Sequence, residues 1–204
     1  MKKYTFVSAI PVWAENREKE KNLWLEFSTK ISKSADIILA LTGSCVYNVR
    51  INGNFIAFGP ARCAHGFYRV DEINISEFLK QETNEIKITV AGYNINSFYT
   101  LDQPSFLCAE IISGGKVVAA TGKSGFFCRE VNEHEQKVGK YSYQRTFVEI
   151  YDLNEHQKLE IKAVPTEEKN FIYRGSALNN YPVIKAASVP FCGNYHMGND
   201  ERYE

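Results

Sequence analysis

The sequence predicts an all-β protein, an antiparallel sandwich or barrel, and three observations carry that expectation. Short stretches of alternating apolar and polar residues recur along the chain. Asparagine- and glycine-based turns join some of them, and helical periodicity is scarce. Pro11 and Trp13 suit a first strand. Leu23-Trp24-Leu25-Glu26-Phe27-Ser28-Thr29-Lys30-Ile31 alternates cleanly, and residues 36–41 form a short apolar run. Cys45, Tyr47, Val49 and Ile51 alternate with Val46, Asn48 and Arg50. Asn52-Gly53 then supplies the positive φ angles of a two-residue hairpin turn. Phe55, Ile56 and Phe58 restart the sheet until Gly59-Pro60 breaks it. Ile86, Ile88 and Val90 share one face of the next strand, and residues 105–113 turn through Gly114-Gly115 into residues 117–121. A last alternating strand is expected over residues 158–164. Residues 75–80 can make a turn or two of helix with Ser76 as N-cap, and residues 133–140 read as a loop or short helix.

Beyond Val164 the character changes. Pro165, the polar run 166–170, Arg174-Gly175, Asn179-Asn180, Tyr181-Pro182, Pro190 and Gly193 are turn-rich, and residues 199–204 form a charged tail. The expected organisation is a β-domain over residues 1–164 followed by a linker or arm over 165–204.

The 204 residues carry 24 Lys and Arg against 24 Asp and Glu, a net charge of zero. Such a balance gives no electrostatic attraction to nucleic acid or to anionic membrane, so neither is expected as a partner. No apolar run approaches bilayer length. After Met1-Lys2-Lys3, residues 4–14 are too short and too broken for a signal core. The five cysteines (Cys45, Cys63, Cys108, Cys128 and Cys192) are odd in number and contain no CxxC pair. That argues against zinc and for reduced thiols in a cytoplasmic setting, with Cys45, Cys108 and Cys128 acting as small buried hydrophobes. No cofactor is expected.

No GxSxG, HExxH or P-loop pattern is present. The loop carboxylates Asp71, Glu72, Asp102, Glu110, Glu149 and Asp152 give no reason to pair any two as acid and base. Cys63 and His65 share a strand face, yet nothing supplies an oxyanion hole. Binding is the better-supported chemistry. The stretch from residue 93 to 103 holds Tyr93, Asn94, Asn96, Phe98, Tyr99, Asp102 and Gln103. Aromatic faces with amides and carboxylates are what a sugar ring and its hydroxyls require; the same composition also suits a loop packed against a neighbouring domain. A second polar cluster comprises Arg62, His65, Tyr68, Arg69 and Asp71. Its simpler reading is structural, with arginine paired to Asp71 or Glu72, Tyr68 capping the core, and Asp71 anchoring the loop after Arg69.

The order of these signals resembles the N-terminal β-sandwich of bacterial α-L-rhamnosidases and related multidomain glycoside hydrolases. The resemblance runs from the strand at Ala35 to Leu41 through Tyr47, Asn52-Gly53 and Gly59-Pro60-Ala61-Arg62. It continues through Tyr68-Arg69-Val70-Asp71, then Ile73, Ile75, Leu79 and Asn84. Gly92-Tyr93-Asn94, Gln103-Pro104-Ser105-Phe106-Leu107 and Tyr143-Gln144-Arg145-Thr146-Phe147-Val148-Glu149 extend it, although Thr146 stands where proline is expected. The resemblance covers residues 24–181. It implies a jelly-roll or galactose-binding-like sandwich serving as a non-catalytic accessory module, with a glycan or a helical catalytic domain as partner. The family's catalytic carboxylates have no matching segment here. The alternatives are a small glycosidase using loop carboxylates or a purely structural domain. Related sandwiches often hold a structural calcium ion, but no calcium loop of recognisable spacing occurs and no ligands are assigned.

Overall fold

A computed structural model describes residues 2–188 apart from 155, 158, 183 and 186. Cys192, Pro190, Gly193 and the charged tail therefore lie outside the described residues. In chain order the strands are β1 (Val12–Ala14), β2 (Leu23–Ser32), β3 (Ile37–Gly43), β4 (Val46–Ile51), β5 (Asn54–Gly59) and β6 (Phe67–Asn74). A 3-10 turn (Ser76–Phe78) follows, then β7 (Thr83–Gly92), β8 (Leu107–Ser113), β9 (Lys116–Ala120), β10 (Phe127–Glu130), β11 (Ala163–Pro165) and β12 (Asn170–Tyr173).

These strands make a β-sandwich of two sheets. The first has the order β11-β1-β8-β3-β6-β12. There β1 meets the Leu107 end of β8 and β9 meets its Ser113 end. The second sheet has the order β10-β2-β7-β4-β5. All these pairings are antiparallel except β12 with β6, which is parallel.

The alternation legible in the sequence is the inner-face pattern. Leu25, Phe27 and Ile31 of β2 stand in register with Val90, Ile88 and Asn84 of β7. Leu23, Leu25, Phe27, Ile86, Ile88 and Val90 are buried, as are Tyr47, Val49 and Ile51 of β4. From the first sheet Trp13, Leu39, Leu41, Leu107, Ala109 and Ile111 complete the same core. Each fully buried aliphatic side chain stabilises by roughly 1.5–3 kcal/mol, which sets the register, because a one-residue slip would turn this face outward. The turn at Asn52 (φ 50°) and Gly53 (φ 81°) joins β4 to β5 as the sequence predicts.

Both outer faces are covered in part. Over the first sheet, Tyr4 and Phe6 of the N-terminal segment pack with Ala40, Val70, Phe106 and Cys108. That segment is tied down by Glu110 of β8, which is wholly buried and whose carboxylate accepts from the backbone N–H groups of Val7, Ser8 and Ala9 at 2.9–3.0 Å. Over the second sheet lies the long excursion between β10 and β11. Its His134 ring stacks on Trp24 at 4.3 Å, and Val131, Phe147 and Tyr151 surround the same indole.

Some sequence expectations are corrected. Ser76 is not an N-cap: Ile75 occupies that position, and the Ser76 hydroxyl accepts from the Ile37 N–H, tying the turn to β3. Asn74 instead takes the Ser76 N–H on its side-chain oxygen. Residues 133–140 are loop, without a helix. The expected strand at 158–164 narrows to β11, with Pro165 as its last residue opposite Val12. Proline is tolerated there because the pairing is at a sheet edge. Beyond the expected boundary after Val164, β12 still belongs to the first sheet, with Ile172 buried. Cys108 and Cys128 are buried and Cys45 is half-buried; these three and Cys63 are free thiols. Burial pushes the Cys45 and Cys128 thiols up to about 12, so they are inert at neutral pH. Among the described residues no helix is long and apolar enough to cross a membrane.

Candidate functional site

At the end of the sandwich where β3 passes into β4 lies an open cleft of about 470 Å³. The residues after β5 form one wall and those after β7 the other. The two sequence clusters, about thirty residues apart in the chain, meet here: Arg62, His65, Tyr68 and Arg69 face Phe98, Tyr99 and Gln103 across the cleft. Ser44, Phe58, Ser97 and Thr100 complete it. No aspartate or glutamate is among the described residues that line it.

The wall carrying Tyr99 is built by local hydrogen bonds. Ser97 turns the chain, its hydroxyl accepting from the N–H groups of Tyr99 and Thr100 at 3.0 Å each. The Thr100 hydroxyl donates to the Ile95 carbonyl, and the Asn96 side-chain oxygen accepts from Asp102 N–H. Such serine and asparagine turns hold a loop without regular structure. From the opposite side, Phe98 N–H donates to the Gln144 carbonyl, and the Lys140 ammonium bridges the carbonyls of Asn96 and Tyr143. Tyr99 is thereby presented half exposed, at 51%. Over its ring lie the guanidinium groups of Arg62 at 5.0 Å and Arg145 at 5.1 Å.

The other wall is anchored to the sheet. The Tyr68 ring stands edge-on to Phe106 at 4.7 Å, and its hydroxyl donates to Gln103 Oε1 at 3.1 Å. The Gln103 amide donates in turn to the Ser44 carbonyl. Arg69 donates to the Arg174 carbonyl, and its Nε is buried without a partner. Tyr68 is thus a cleft wall whose phenol burial raises above its ordinary range. His65 and Arg62 are exposed at the rim.

Other candidates serve the scaffold. Tyr93 and Asn94 are buried. Tyr93 packs edge-on against Trp24 at 5.9 Å, its phenol held high by burial and by the Glu149 carboxylate. Asn94 donates to the carbonyls of Glu18 and Glu20 and accepts from Ser105. Asn96 and Asp102 are exposed and belong to the loop's own turn. Asp71 is wholly buried and points between the sheets. It accepts from the Tyr47 hydroxyl and pairs with Arg174 at 2.5 Å. The arginine expected to pair with Asp71 therefore comes from the far end of β12, while Arg62 turns to Tyr99.

Sequence reasoning missed Arg145, Phe58 and Ser44. Arg145 lies 46 positions after Tyr99 and arrives through the excursion over the second sheet; the segment containing it carries part of the resemblance, but nothing local places it beside Tyr99. It lines a second, adjoining cleft of about 370 Å³ with Trp24, Asn48, Thr89, Tyr93 and Glu149, and Tyr99 and Thr100 form part of both. Among the described residues, no three His, Cys, Asp or Glu side chains gather as a metal site.

The architecture is that of a β-sandwich with an open cleft at one end. Neither a family model nor a curated protein matches the chain. Solved structures do. A GH78 family rhamnosidase from Bacillus sp. GL1 matches with a TM-score of 0.70 and 21% identity, over 81% of this chain and 19% of that one. Native α-L-rhamnosidase from Aspergillus terreus matches with a TM-score of 0.52 and 14% identity, over 79% of this chain and 21% of that one. The chain thus has the fold of one part of these rhamnosidases and spans about a fifth of their length.

Proposed function

We propose that this chain is a non-catalytic accessory module of an α-L-rhamnosidase-like glycoside hydrolase, and that the cleft beside Tyr99 binds a saccharide, a rhamnose-containing glycan being the first candidate. The observation that carries this reading is the meeting of both sequence clusters in one cleft around a half-exposed, hydrogen-bond-supported tyrosine. An aromatic face packs on the apolar side of a sugar ring, while Gln103, Arg62 and Ser97 offer polar groups for its hydroxyls. A loop already held in place loses little freedom on binding. Likeness of fold to part of GH78 rhamnosidases agrees with this role. Catalysis by the chain alone is disfavoured because glycoside hydrolysis needs a carboxylate pair. Among the described residues, those lining the first cleft include no carboxylate, and those lining the adjoining one include only Glu149.

A second reading, in which the same end docks a helical catalytic domain, draws on the exposed rings of Phe98, Tyr141 and Tyr143 beside the cleft. Calorimetric titration with rhamnose-containing oligosaccharides, using the chain and its Tyr99→Ala variant, separates the two. Saccharide binding that weakens at least tenfold in the variant is expected. The melting temperature should hardly move, since truncating an exposed ring with two cation–π contacts costs about 1 kcal/mol or less. Undiminished binding in Tyr99→Ala, or a variant that unfolds, would remove the site.

A further inference from the structure

We infer that the cleft selects acidic saccharides, the carboxylate of a uronic acid being held by guanidinium groups while its ring packs on Tyr99. This rests on the saccharide-binding reading above and goes beyond it by naming the ligand's charge. Most arginines among the described residues have evident partners. Arg17 pairs with Glu20 and Glu130, Arg129 with Glu26 and Glu133, and Arg174 with Asp71. Arg50 donates to the Gly53 carbonyl. Among the described residues, Arg50, Arg62, Arg69 and Arg145 have no carboxylate partner, and of these four Arg62, Arg69 and Arg145 line the two adjoining clefts.

Neutral chains do not gather unpaired cations without cost. Arg62 and Arg145 both lie over Tyr99, about 5 Å from the ring centre. Arg69 sits deeper, its buried Nε unpartnered and lining the same cleft. His65 adds a further nitrogen at the rim. Among the described residues that line the first cleft, Arg62, Arg69 and His65 face no aspartate or glutamate, although the chain is neutral overall. A low-dielectric wall concentrates the field of such groups. A planar guanidinium matches a carboxylate in two parallel hydrogen bonds, and the flat ring of Tyr99 supplies the apolar contact that a sugar has and a bare anion lacks.

The test compares tri-galacturonate and a glucuronate-terminated disaccharide with their methyl esters, which keep the rings and remove the charge. Inorganic phosphate and a neutral rhamnose-containing oligosaccharide are run alongside. The acids are expected to bind at least tenfold more tightly than their esters. That preference should shrink as salt is raised and vanish in Arg62→Ala and Arg145→Ala, both of which alter exposed side chains and leave the fold intact. Equal affinity for acid and ester, or binding of the neutral oligosaccharide alone, would overturn acid selectivity and leave the saccharide cleft standing. Phosphate competing as well as the uronates would mark a general anion site and also overturn it. No binding of any saccharide would defeat the underlying reading together with this one.

Discussion

At the scale of single residues, the end of the sandwich that carries the cleft is organised by a buried polar trio. Asp71 lies between the sheets, bonded by the Tyr47 hydroxyl and the Arg174 guanidinium. Burial and the adjacent carboxylate keep the Tyr47 phenol protonated far above its ordinary range. A buried carboxylate without these partners would be strongly destabilising. Gly59, at the end of β5, is the residue that makes room for the trio. A Cβ placed there would fall 2.5 Å from the Tyr47 hydroxyl oxygen. Gly59→Ala should therefore cost about 1–3 kcal/mol in urea unfolding, whereas Gly139→Ala, which meets nothing within 4 Å, should be nearly neutral. Equal stability of the two variants would show that the trio tolerates displacement. In the sequence Asp71 reads as the anchor of the loop after Arg69, whereas it holds Tyr47 and Arg174, and neither partner was legible. Arg174 lies 103 positions away, and only the parallel pairing of β12 with β6 brings it there.

Among the elements, the excursion between β10 and β11 matters most, because it both covers Trp24 and delivers Arg145 to the site. Its anchor is His134, buried and stacked on the indole. Burial lowers the His134 pKa below its unfolded value of about 6.5. Below pH 6.5 the unfolded chain takes up a proton that the folded chain resists, so this stabilising contribution is present above pH 6.5 and is lost as the pH falls. Unfolding free energy should drop more between pH 7.5 and 5.5 in the native chain than in His134→Phe, which keeps the ring and removes the titration. Identical pH slopes would place His134 in water rather than against Trp24. The excursion was illegible beforehand because it holds few alternating residues. Its bridges at His134–Tyr151 and Lys140–Phe147 are isolated pairings, not strands.

For the whole molecule, the sequence disclosed the layer that packs inward and concealed what covers it. Alternation in β2, β4 and β7 reports one buried face each, and positive-φ turns at Asn52-Gly53 and Gly114-Gly115 fix two hairpins. The N-terminal cover held by Glu110, the parallel β12 and the second cleft depend on contacts more than a hundred residues apart or on irregular loops, which carry no local period. Much the same holds for the site. Tyr99, Arg62, Tyr68 and Gln103 could be singled out by residue type, but their convergence could not. The central claim is that this cleft is the saccharide site. An amide correlation spectrum recorded during titration with a rhamnose-containing oligosaccharide, and with tri-galacturonate, tests it most directly. Shifts should concentrate at Ser44, Arg62, Tyr68, Phe98, Tyr99, Gln103 and Arg145. The Asn52-Gly53 turn, at the other end of β4 and roughly 20 Å away by strand rise, should stay unmoved. Saturating shifts centred on that far end, or none anywhere at millimolar saccharide, would contradict the account.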